Sequence, residues 1–198
     1  MNKFPRSAYV HIPFCHRRCF YCDFAVIPLG NNVETLKGYG SKTVQEYLQF
    51  LYKEILSIKH KSPLSTIYVG GGTPSILDPT QIKELIDLFR ENYGIDYGAE
   101  ITMEVDPASF TQDDLFGFIN AGINRFSLGV QSFNNQILQK SGRLLKYLII
   151  KSLDSETKSI YPSIYKSMKI ILIKTCWINL HSNFSAIVNS IIFFKKIN

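Results

Sequence analysis

Through residue 143 the chain alternates short runs of β-formers with longer stretches whose apolar residues recur every three or four positions. That alternation is the signature of βα units around a parallel sheet, and few other folds tolerate it. Residues 9–12 (YVHI), 66–69, 100–105 and 125–130 read as strands, and residues 41–59, 80–92 and 112–120 as helices. In the first helix Val44, Tyr47, Leu48, Leu51, Ile55 and Ile58 share a face, and in the second Ile82, Leu85, Ile86 and Phe89 do. Ser41, Asp78-Pro79-Thr80 and Thr111 to Asp114 supply capping oxygens and early negative charge, and Gly94 and Gly122 mark helix stops.

In folds of this class ligands gather where the strands end. The unusual residues lie there: FCHRRCFYCDF (14–24) after the first strand, Gly70-Gly71-Gly72-Thr73-Pro74 after the second, Glu104-Val105-Asp106-Pro107 at the third, and Gly129-Val130-Gln131-Ser132 at the fourth. One shared site accounts for four such loops better than four unrelated ones.

The first loop holds Cys15, Cys19 and Cys22 in the spacing C-x3-C-x2-C, and the only other cysteine is Cys176. A disulfide uses two thiols and a structural zinc four ligands, so three close together point to a metal centre with one position left open. A 4Fe-4S cluster fits this count, and so does a Cys3His zinc site completed by His11 or His16. The glycine triplet removes side chains where backbone approaches a ligand closely, and Thr73 adds a hydroxyl. Glu104, near the end of a buried strand, needs a polar partner, which an ion pair with Arg125 or Arg143 would also supply. Gln131 offers a donor and an acceptor.

The net charge of +6 does not argue for a nucleic-acid partner, because of where it sits. Residues 1–143 hold 14 basic and 14 acidic side chains, whereas residues 144–198 hold 8 lysines against Asp154 and Glu156. That terminal stretch has no glycine and 12 isoleucines, and the βα rhythm stops in it. It reads as a divergent, frame-shifted or poorly ordered tail, or as a lineage-specific extension; Asn179, Asn183 and Asn189 do not form the polar face of a membrane-surface helix. Pro5, Arg6 and Ser7 interrupt any signal-peptide core, and no run reaches the roughly 18 apolar residues of a membrane helix. The expectation is a cytoplasmic chain without stable membrane insertion, where thiols stay reduced.

Taken together, YVHIPFCHRRCFYCDF, GGGTPS, EVDP, NRFSLGVQSF and SGR, in that order, closely resemble the radical S-adenosylmethionine (radical SAM) family of the coproporphyrinogen dehydrogenase type. The resemblance covers residues 7–143, and Asp23-Phe24 after the third cysteine is similar to its heme-chaperone branch. It implies a partial (β/α) TIM-like barrel over residues 1–143, a 4Fe-4S cluster on Cys15, Cys19 and Cys22, and S-adenosylmethionine chelating the fourth iron. It further implies cofactor contacts from Tyr9, the backbone around Tyr21, Gly71, Gly72, Thr73, Glu104, Gln131 and Arg143, with heme as cargo and a heme-acceptor protein as partner. His11 and Phe14 have the plainer reading of packing around the strand and loop, and His16, Arg17 and Arg18 that of facing solvent. The family continues SGR with a serine or threonine and then histidine, where this chain has Leu144-Leu145-Lys146. The rival readings are the oxygen-independent coproporphyrinogen III oxidase itself, a zinc-binding module and a non-functional fragment.

Overall fold

The computed structural model describes residues 4–30, 41–58, 62–132, 134–143, 169–173 and 192–195. Eight strands, four α-helices and one short 3-10 helix (Pro74–Ile76) lie in these segments. The strands are β1 (Ser7–Ile12), β2 (Phe14–Cys15), β3 (Ile27–Pro28), β4 (Leu64–Gly71), β5 (Ile95–Val105), β6 (Arg125–Gly129), β7 (Lys169–Ile173) and β8 (Ile192–Lys195). The helices are α1 (Lys42–Ser57), α2 (Pro79–Asn92), α3 (Gln112–Asn120) and α4 (Asn135–Lys140).

Six strands form one sheet in the order β7-β6-β5-β4-β1-β8. Within this sheet β1, β4, β5, β6 and β7 pair in parallel, each with its neighbour, and only β8 runs antiparallel, against β1. A monotonic order with right-handed crossovers places all connecting helices on one face. Burial agrees: Ala8, Val10 and Ile12 of β1, Ile67 and Val69 of β4, Ile101, Met103 and Val105 of β5, and Phe126 and Leu128 of β6 share one apolar core with the inner faces of α1, α2 and α3. This is the one-sided layering of a (β/α) barrel wall, as expected.

Because side chains alternate along a strand, the opposite face is polar. Tyr9 pairs in register with Tyr68, Tyr68 with Thr102, and Thr102 with Arg125, while Glu104 stands opposite Ser127. Along this row Thr102 and Ser127 are buried and Tyr9, Tyr68, Glu104 and Arg125 partly exposed, so the sheet carries a polar wall.

The caps lie where the sequence predicts them. Ser41 accepts from Val44 N, Asp78 and Gln81 form a capping box on α2, and Thr111 and Asp114 form one on α3. Each box satisfies two otherwise orphaned donors. Asp78→Ala is expected to lower stability by about 1 kcal/mol, read as a shift in the urea midpoint at unchanged slope.

Two strands beyond Arg143 extend the sheet. β7 adds the next parallel strand, Arg125 pairing with Lys169 through to Gly129 with Ile173, and β8 covers the other edge, Ser7 pairing with Lys195 through to Val10 with Ile192. Runs such as KIILI and IFFK have the β-branched and aromatic composition that a bare strand edge recruits, although no glycine or turn signal frames them. Cys176 and the stretch read against a membrane-surface helix, Asn179 to Asn189, lie outside the described residues. Among the described residues no helix is long and apolar enough to cross a membrane.

Candidate functional site

The cysteine loop is anchored at its first thiol. β2 pairs in parallel with β3, Phe14 with Ile27 and Cys15 with Pro28, which buries Cys15. Phe14 is fully buried and meets Tyr47 edge-on at 5.2 Å, and the Tyr47 hydroxyl donates to His11 O. The packing role expected for Phe14 is thus what the structure shows. Cys19 and Cys22 are half-buried, joined by a turn in which Cys22 N donates to Cys19 O at 3.1 Å. Burial pushes the Cys15 thiol up to about 11, with the neighbouring Cys22, Cys19 and Asp106 adding to it and the Thr73 hydroxyl opposing.

The glycine stretch is bolted onto this loop. Gly72 N donates to Ile12 O and Thr73 N to Phe14 O, both at 2.8 Å, and Thr73 Oγ1 donates to Cys15 Sγ at 3.3 Å. A Cβ on Gly72 would stand 2.6 Å from Phe14 O and 2.9 Å from Cys15 Sγ. On Gly71, at φ +122°, it would stand 2.7 Å from Ile12 O. The close approach that the glycines permit is therefore to the chain's own β1–β2 backbone and first thiol.

Glu104 occupies the polar wall beside them. Its Oε1 accepts from Tyr68 Oη at 2.7 Å and its Oε2 from Gly71 N at 3.1 Å. The ion pairs considered for it go elsewhere: Arg125 pairs with Glu100 at 2.6 Å and Arg143 with Asp106 at 2.9 Å. Tyr9 stacks on Tyr68 with centroids 5.9 Å apart and shares a 3.1 Å hydrogen bond with His11 Nδ1. Burial first, and then the Glu104 charge, raise the Tyr9 phenol to about 12.

A third group converges from further along. Arg143 donates from one terminal nitrogen to Tyr21 Oη at 3.1 Å, and from the other to Asp106 Oδ2 at 2.9 Å and Gly129 O at 2.8 Å. Burial works against its charged form, but Asp106 and Tyr21 outweigh that and hold the guanidinium above its ordinary value. Its Nε is buried without a partner. Gln131 sits at φ 62°, the one non-glycine residue in the left-handed region among those described, and its Nε2 lies 3.6 Å from where a Cβ on Gly129 would be. Such conformations concentrate at ligand sites.

Of the eleven residues singled out from the sequence, Tyr9 lies within β1, Cys15, Cys19, Tyr21 and Cys22 in the loop that begins at β2, Gly71, Gly72, Thr73, Glu104 and Gln131 at the ends of β4, β5 and β6, and Arg143 after α4. His16 departs from its solvent-facing reading: its Nδ1 is buried without a partner, and burial lowers its pKa. Arg18 is exposed, its Nε donating to Cys22 O at 3.0 Å.

Residues 9–153 match the Radical SAM superfamily. The chain belongs to that superfamily. The heme chaperone HemW of Synechocystis sp. (strain ATCC 27184 / PCC 6803 / Kazusa) is 45% identical over 140 residues, 70% of this chain and 33% of HemW. The oxygen-independent coproporphyrinogen III oxidase of Escherichia coli (strain K12) is 39% identical over 139 residues, 67% of this chain and 28% of the oxidase. Among solved structures, coproporphyrinogen III oxidase (HemN) from Escherichia coli, a radical SAM enzyme, matches with a TM-score of 0.66 at 32% identity, over 79% of this chain and 35% of HemN. The chain spans about a third of the length of the curated relatives it matches.

A radical SAM site implies a 4Fe-4S cluster and S-adenosylmethionine, and the cysteine loop suits the cluster. Three free thiols share one loop, and the bare Cα of Gly72 leaves the space against Cys15 Sγ that a side chain would fill. Among the described residues no three His, Cys, Asp or Glu side chains gather as tightly as one metal ion would hold them. A four-iron cube offers separate irons to separate thiolates and asks for no such convergence. Tyr68 escaped the sequence reading, and Asp106 entered it only as part of the third strand end, with no role. Asp106 was legible as the second carboxylate of Glu-x-Asp on one strand face, and Tyr68 as the residue that alternation places beside Tyr9.

Proposed function

We propose that this chain carries the cluster- and S-adenosylmethionine-binding part of a heme chaperone of the HemW kind. Cys15, Cys19 and Cys22 would hold three irons of a 4Fe-4S cluster, which when bound and reduced supplies the electron that cleaves S-adenosylmethionine. Tyr9, the backbone around Tyr21, Gly71, Gly72, Thr73, Glu104, Gln131 and Arg143 would contact the cofactor, Arg143 Nε being buried without a partner. Glu104 is already aligned by Tyr68 and Gly71 N, so an ammonium or hydroxyl group would meet an oriented acceptor. Heme would be the cargo, passed to an acceptor protein in the cytoplasm, where the three thiols stay reduced.

The observation that carries this reading is the 45% identity to HemW over 140 residues of a chain whose three loop cysteines are followed by Asp23-Phe24. Its test is anaerobic reconstitution with iron and sulfide. The expected result is a visible cluster band that changes when S-adenosylmethionine is added, together with retention of heme on a column. Zinc without iron in anaerobically purified protein would overturn it. The 39% identity to the coproporphyrinogen III oxidase and the HemN structural match favour a second reading as an oxidase, which a porphyrinogen decarboxylation assay separates from heme retention.

A further inference from the structure

The cysteine loop is tied down at its second half as well as its first, and by residues more than a hundred positions away. The turn that closes α4 lies against it. Phe20 N donates to Ser141 O at 3.3 Å, and the Phe20 ring lies 3.3 Å from where a Cβ on Gly142 would be. Gly142 itself has φ +76°, the left-handed turn that ends α4 and presents the next residue inward. That residue is Arg143, whose side chain is only 9% exposed although it closes a surface turn. Three of its N–H donors are committed, to Tyr21 on the cysteine loop, Asp106 beyond β5 and Gly129 at the end of β6. Asp106 is held from its other side, its backbone N donating to Ser75 Oγ at 3.0 Å and its Oδ1 accepting from Ala108 N at 3.0 Å.

We propose that Ser141-Gly142-Arg143 is a latch that clamps the cysteine loop onto the ends of β5 and β6, with Arg143 as a positioning residue acting on Cys19 and Cys22 through Tyr21. Tyr21 stands between those two cysteines, so fixing its hydroxyl restricts where both thiols lie. Asp106 is the fixed post: a buried guanidinium needs a carboxylate, and this one is tied to β5 and to the Ser75 turn. A lysine would keep the charge but reach one partner at a time in place of three. The latch forms within this chain and needs no bound cofactor, so it stands or falls independently of the cofactor assignment.

Trypsin reads it directly, because Arg17 and Arg18 lie inside the loop. Limited digestion of the full chain under reductant, with the fragments cut after Arg17 or Arg18 followed by mass spectrometry, measures how often the loop opens. Tyr21→Phe deletes one hydrogen bond at a half-exposed ring and is expected to speed cleavage in the loop about fivefold while leaving other sites and the urea midpoint unchanged. Arg143→Ala is expected to speed it more than about tenfold, with Arg143→Lys recovering part of the protection. Adding Tyr21→Phe to Arg143→Ala is expected to have no further effect, since the shared contact is already gone. Loop cleavage in Tyr21→Phe within twofold of the parent, or full additivity of the two substitutions, overturns the latch.

Discussion

Cys15→Ala protein, reconstituted anaerobically with iron and sulfide, is expected to retain no more than about a tenth of the parent's cluster while its far-UV spectrum stays unchanged. Of the three thiols on the loop, Cys15 is the one whose position the fold fixes most completely. It lies in β2, is buried, receives the Thr73 hydroxyl and abuts the bare Cα of Gly72. Cys19 and Cys22 depend on the turn between them and on Tyr21. Alanine at 15 removes a proposed ligand without removing a strand, so loss of iron with retained secondary structure is the informative result. Iron content equal to the parent's would remove Cys15 from the ligand set. The same environment sets a chemical order. With its thiol pushed up to about 11, mainly by burial, Cys15 stays protonated at pH 8, and it is expected to be the slowest of the three to alkylate in metal-free protein. Peptide mapping after timed iodoacetamide treatment measures that order.

Gly72→Ala is expected to cost about 1–3 kcal/mol of stability and to abolish cluster uptake together, because the added carbon meets atoms that cannot move aside. Phe14 O, 2.6 Å from that carbon, belongs to the backbone that anchors Cys15, and Cys15 Sγ is 2.9 Å away. Relief requires β4 and the β1–β2 segment to separate, breaking the hydrogen bonds from Gly72 N and Thr73 N. Gly129→Ala is the matched comparison: it also lies at a strand end in the site, but its nearest neighbour would be an ordinary contact at 3.6 Å. Urea midpoints and iron content of the two variants decide the point. A Gly72→Ala protein as stable and as iron-rich as Gly129→Ala would show that the stretch has slack the geometry denies.

These two positions also show how the site is divided between local and distant causes. The spacing of the thiols is a property of eleven consecutive residues, and the glycine stretch announces itself by composition. What neither announces is that they are built against each other. The sequence suggests that the glycines admit a ligand, whereas Gly71 and Gly72 first admit Ile12, Phe14 and Cys15. Glu104 likewise asks for a partner in the sequence, and the two arginines that offered themselves pair with Glu100 and Asp106 instead.

By itself the sequence determined whatever depends on neighbours within a few positions. Helix periodicity placed the inner faces of α1 and α2, capping residues placed the starts at Ser41, Asp78 and Thr111, and strand alternation put polar residues on one face of the sheet. Only the tertiary structure decided which strand ends meet. Arg143 finds Tyr21 across 122 positions and Asp106 across 37, and such pairings have no local signature because they are set by strand order and not by spacing. The sheet edges follow the same rule. Nothing in KIILI or IFFK says that it will lie beside Arg125–Gly129 or Ser7–Ile12, but the unpaired backbone groups of an open edge accept a run of β-formers wherever the chain brings one.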